Sequence, residues 1–240
     1  KKYNKEDRNK LFVTKPLYQR SLIVAGGPLA NFLLAIVIFF FIYTFVGKDF
    51  TPAVVDKVLK DSPAEVAGMK KNDIIIEIDN TKVDSILDVS KLIAMTTTEY
   101  IDFTVSRYDQ EIILKVKPNL VDGEDNLGNK IKKRMVGIQL SAYDNKINHV
   151  KLGPAQAIAQ SFNEVYFVTT SSLKYLGSMI TGSGDSSQLG GPIRIAKISG
   201  QVAEFGIIPF ISMMAYISIS LGLINLFPIP MLDGGHLMFY

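Results

Sequence analysis

The chain has 240 residues, of which 48% are hydrophobic and 20% charged, with a formal net charge of +3 and a mean hydropathy of +0.21. Long uncharged runs alternate with a charged middle, the composition of a membrane protein that carries a soluble insert. Cysteine is absent and histidine occurs only at His149 and His236, which excludes disulfides, cysteine-ligated metal and a site of histidines alone. The basic residues flank apolar runs without a stripe of stacking aromatics, which argues against a nucleic-acid partner.

Residues 1–20 are a basic segment with seven Lys or Arg against Glu6 and Asp7. The positive-inside tendency places them on the cytoplasmic side. Residues 21–46 carry no charge and are long enough to cross a bilayer as a transmembrane helix, so that the chain emerges on the outer side near Gly47. Gly27-Pro28 is expected to loosen this helix. Gly27 and Asn31, four apart, share a face on which a small residue admits a neighbouring helix and an amide can bond across the contact.

Residues 51–140 read as one soluble α+β domain. Ser62-Pro63-Ala64-Glu65-Val66-Ala67-Gly68-Met69 is a capped short helix with proline at its first position and glycine as its stop. Asp73 to Asn80 is a strand ending in an Asp-Asn turn. Ser85 to Met95 is a second helix capped by Ser85, and the alternating Ile101, Phe103, Val105 and Ile112, Leu114, Val116 give two strands joined across Tyr108-Asp109-Gln110. Asp122 to Arg134 reads as a polar loop and Met135 to Leu140 as a last strand. The order resembles a PDZ domain of the bacterial protease type, carried by Ser-Pro-Ala-x-x-Ala-Gly-Met and the following Asp-x-Ile-x-x-Ile-Asp-Asn. That resemblance implies an extended peptide partner, added as a strand beside the second helix.

Residues 155–180 place Ile158, Phe162, Val165, Thr169, Leu173, Leu176 and Ile180 on one helical stripe, with Glu164 and Lys174 away from it. The expectation is an amphipathic helix lying in the membrane interface, because charge within the run is costly at depth. If it lies flat, the last helix returns from outside and Asp233 ends near the cytoplasmic side; a third span would place Asp233 outside. Residues 189–205 are a Gly-Pro loop and a short helix. Residues 207–240 are a broken transmembrane helix: Ile207 to Phe227 carry no charge, and Pro228 and Pro230 bring no N–H for the carbonyls of Ile224 and Leu226. Asp233 follows beside Gly234, an acid held against the broken end of a membrane helix, where an ionisable side chain is a functional candidate. The alternative is that the helix leaves the membrane at Pro228 and Asp-Gly-Gly is an interfacial turn.

Together these segments resemble the site-2 protease family of intramembrane zinc metalloproteases, in its bacterial RseP-type branch. The motifs are Gly27-Pro28-Leu29-Ala30-Asn31-Phe32, the PDZ region, Gly190-Gly191-Pro192-Ile193-x-Ile195-Ala196, and the twelve positions from Asn225 to His236 with their Asn-Pro-Pro-Asp pattern. The implied fold is an α-helical transmembrane core with an inserted extracytoplasmic PDZ domain, in the bacterial inner membrane. The implied cofactor is Zn2+ with Asp233 as one protein ligand, and the implied role of Asn225, Pro228 and Pro230, with Gly27 and Asn31, is to position substrate. The resemblance places no metal at His236. The implied substrates are single-span membrane proteins, such as anti-sigma factors or remnant signal peptides, screened by the PDZ domain. No His-Glu-x-x-His occurs, so no catalytic residue is assigned within this chain, and the sequence is expected to begin after that helix. The alternative is a membrane-anchored PDZ adaptor without catalysis.

Overall fold

The computed structural model describes residues 15–124, 130–142, 148–181 and 191–227. Helix α1 (Leu17–Phe41) continues through one π-helical stretch, Ile42–Val46. It begins four residues before the uncharged run and takes in Arg20, and it carries Pro28 in its interior. Helices α4 (Pro154–Ile180), α5 (Pro192–Glu204) and α6 (Ile207–Leu226) follow the sheet domain. Among the described residues, Leu17–Val46 and Ile207–Leu226 are long and apolar enough to cross a bilayer.

The chain divides into two compact units. One contains α1, the part of α4 up to Thr169, and α6. Here α1 and α6 pack antiparallel: Phe39 meets Tyr216 edge to face at 5.3 Å, Ser218 Oγ donates to the Asn31 carbonyl at 2.9 Å, and Gly222 reaches Pro28. Pro28, Ala35 and Phe39 are the buried side of α1, whereas Leu22, Ile23, Leu29, Leu33, Leu34 and Val37 are exposed. So large an outward apolar surface is stable only against another apolar surface or lipid.

Of the apolar stripe of α4, Val165 is buried and Thr169 and Leu176 are half-buried. The buried residues are Ala157, Ser161, Val165, Val168 and Ser178, whereas Ile158, Phe162, Leu173 and Ile180 are exposed. Small side chains let neighbouring helices close up, and bulky apolar ones turn outward where the surroundings are themselves apolar. Ile158, Phe162, Leu173 and Ile180 therefore make up much of the outer face.

The second unit comprises Phe45–Leu152 and Thr170–Gln201. Its sheet is antiparallel, in the order β6 (Gln110–Val116), β5 (Ile101–Arg107), β3 (Ile74–Ile78), β2 (Ala53–Val58), β9 (Ile138–Ala142), with β4 (Thr81–Lys82) beside β3. Val55, Ile75, Ile78, Ile101, Phe103, Val105 and Val116 fill the core with Val89 of α3 (Ile86–Met95). Ser62 caps α2 (Pro63–Val66), and Ser85 and Asp88 form a capping box on α3. The turns Asp79-Asn80 and Tyr108-Asp109 have positive φ at both residues, the two-residue geometry that matches strand twist. Gln110 therefore belongs to β6, opposite Arg107. A short pair, β1 (Lys48–Asp49) with β10 (His149–Val150), closes the ends of the domain.

Asp122 to Arg134 is not a plain loop. β7 (Asn119–Glu124) and β8 (Lys130–Met135) pair antiparallel, with Asp122 opposite Lys132. The segment shows no apolar alternation because this hairpin stands outside the six-stranded sheet, and backbone pairing with opposed charges holds it.

Candidate functional site

The last turn of α6 is shaped by the proline just beyond it. Pro228 has no N–H, so the Ile224 carbonyl lacks its usual helical donor; the N–H of Phe227 bonds it instead at 3.0 Å. Phe227 itself is extended (φ −67°, ψ 142°), as a residue before proline must be. The helix thus ends at Leu226, and Phe227 leaves it in extended form. Asn225 sits half-buried in that last turn, three residues after Gly222 and therefore on the same side.

Gly222 fixes how closely that side meets α1. A Cβ placed there would lie 3.1 Å from the Pro28 carbonyl oxygen, 3.1 Å from Phe32 Cε2 and 3.2 Å from Asn31 Cβ. The small residue at this helix contact is thus Gly222 on α6; Gly27 is exposed and Asn31 half-buried. On the next turns, the Tyr216 hydroxyl donates to Glu164 Oε1 of α4 at 3.0 Å, and Phe39 packs against the same ring. Gly222 and Ser218 were legible only as small residues in a bulky apolar run. Asp233, Pro228, Pro230 and His236 lie outside the described residues. Among the described residues, no group of three His, Asp or Glu is arranged to hold a metal ion.

In the sheet domain a groove of about 680 Å³ runs between α3 and β9. Val89, Ile93, Ile138 and Leu140 line it, and Tyr175 of α4 borders it. Among the described residues β9 is the terminal strand of the sheet, so one side of it faces the groove without a described sheet partner. The loop between β8 and β9 is held from behind: the Val136 and Gly137 carbonyls accept from the N–H groups of Ala64 and Leu59 at 2.9 Å each. Gly137 has φ +82°, and a Cβ there would lie 2.3 Å from Ser62 Cβ, so only glycine fits.

The profile of peptidase family M50 matches residues 2–240. A protein of Agrobacterium fabrum that carries the provisional name zinc metalloprotease is 37% identical over 235 residues, which cover 98% of this chain and 62% of that protein. Metalloprotease MmpA of Caulobacter vibrioides is 32% identical, with 97% of this chain and 61% of that protein covered. The chain thus spans a little over three fifths of the length of these relatives. Among solved structures, the PDZ domain of an SdrC-like protein of Listeria monocytogenes is similar over 38% of this chain and 88% of that domain, at 21% identity and a TM-score of 0.31.

Proposed function

The chain belongs to peptidase family M50, and from that premise we propose that the complete protein is an intramembrane zinc metalloprotease hydrolysing peptide bonds in single-span membrane proteins. One observation carries this reading: the uncharged helix α6, packed closely on α1 through Gly222, stops directly before Pro228-Ile229-Pro230-Met231-Leu232-Asp233. A carboxylate emerging from a broken membrane helix has the donor chemistry of a zinc ligand. Asp233 would hold the ion as one of three protein ligands; the other two, and a Glu to activate water, belong to a His-Glu-x-x-His segment that this sequence does not contain. Bound zinc supplies a Lewis acid that activates water near neutral pH.

The chain's own residues prepare the substrate. A helical substrate must be unwound before its peptide bond can be attacked. The extended course begun at Phe227 supports a strand-like partner beside Pro228 and Pro230, and the Asn225 amide has both a donor and an acceptor for an extended backbone. Asn31 and Gly27 face the same task from α1. The sheet domain acts as a PDZ module on the outer side of a bacterial cytoplasmic membrane, docking an extended peptide along β9. In the complete protein, Asp233→Ala should abolish cleavage of a single-span reporter while membrane insertion persists. Wild-type cleavage by that variant would overturn the reading.

A further inference from the structure

An ion pair ties the helical wall of the groove to the first strand after α1. Val89 and Ile93 of α3 line the groove. At the start of that helix the Asp88 carboxylate accepts from the Ser85 N–H at 2.9 Å and the Asp84 N–H at 3.2 Å, so the backbone of Asp84 is held by the first turn of α3. The Asp84 carboxylate in turn receives Lys48 Nζ at 2.6 Å, and only 14% of the Lys48 side chain and 17% of the Asp84 side chain are exposed. Lys82, the second cation on Asp84 at 3.1 Å, is 78% exposed, which makes Lys48 the shielded partner. Lys48 opens β1, and Gly47 alone separates it from the π-helical stretch that continues α1. β1 pairs with β10 as Lys48 with Val150 and Asp49 with His149, and the Phe50 N–H extends this ladder to the Asn148 carbonyl at 2.8 Å. So short a ladder is marginal by itself.

We propose that Lys48 and Asp84 are positioning residues that couple the docking groove to this ladder, so that a peptide held against α3 tightens the pairing of β1 with β10 where the chain arrives from α1. The proposal rests on the reading of the groove as a peptide-docking site. A helix of ten residues frays readily, and a peptide packed on Val89 and Ile93 restrains it. Restraining α3 holds Asp88, Asp88 holds the Asp84 backbone, and the ion pair passes the restraint to Lys48. Shielding matters here, because a fully exposed pair would lose most of this effect to solvent and salt.

The test uses the full chain in non-ionic detergent and a labelled, C-terminally amidated octapeptide of alternating Val and Ser, with binding read by fluorescence anisotropy. Hydrogen exchange over residues 47–51 is followed by mass spectrometry without the peptide and at saturation. Saturation should slow exchange there about fivefold, the lower end of the range for coupled sites. Lys48→Met should abolish that slowing and Lys48→Arg should preserve it, with exchange in the core strand β5 the same in all three proteins. Binding without slower exchange over 47–51 in the wild type would overturn the coupling and leave groove docking intact. So would slowing that persists in Lys48→Met, or a change in that variant that reaches β5 and marks the pair as general support. Failure of the peptide to bind would overturn both.

Discussion

Asp73 is fully buried, and its carboxylate is held by three N–H donors. Arg107 Nε donates to Oδ1 and Nη2 to Oδ2, both at 2.7 Å, and the Lys70 N–H reaches Oδ2 at 2.8 Å. Arg107 Nη2 also reaches the Gly68 carbonyl at 2.8 Å, so one side chain ties β5 to the turn after α2. Arg107→Ala would leave a buried carboxylate without its cation, and the sheet domain should lose about 3–5 kcal/mol in denaturant unfolding. Asp84 is a half-buried acid with a different consequence. Burial pushes its carboxyl up, but the hydrogen bonds and charges of Lys48 and Lys82 outweigh that and hold it below the ordinary carboxylate range. A depressed folded pKa contributes stability that is complete above the unfolded value near ~3.9 and is lost as pH falls through the folded one. Asp84→Asn should therefore melt below the wild type at pH 7, and the gap should close below about pH 4.

At the scale of elements, the contact between α1 and α6 decides where Asn225 stands. A side chain at Gly222 would press on the Pro28 carbonyl oxygen, which cannot rotate away. Gly222→Val should destabilise the helix pair by about 1–3 kcal/mol, as overpacking does, and lower its thermal midpoint in detergent. Much of the sheet domain was legible in the sequence, because caps such as Ser62 and Ser85 and alternating runs such as Ile101, Phe103, Val105 obey local rules. The β7–β8 hairpin was not: its strands serve pairing rather than a buried face, and Lys130-Ile131-Lys132-Lys133-Arg134 has no period to read. The buried row of α4 was legible only at Val165, since the usual rule selects bulky residues where this helix also buries Ala157, Ser161 and Ser178. The motif at Asn225 to Asp233 drew attention by its residue types, whereas Gly222, which sets the approach of α6 to α1, lies earlier on α6 and gains meaning only from its neighbour.

For the whole molecule, the chain joins two kinds of unit: a helical one whose outer surface is apolar and a sheet domain with a conventional buried core. The family match runs across both, so the proposed division of labour is between a peptide-docking domain and a helix end that presents Asp233. The central claim is that this acid holds zinc. The most direct measurement is the zinc content of the purified complete protein, wild type against Asp233→Ala, with circular dichroism on both samples. The account predicts about one zinc per wild-type molecule and a large loss in the variant at unchanged secondary structure. Equal zinc in both proteins would contradict it.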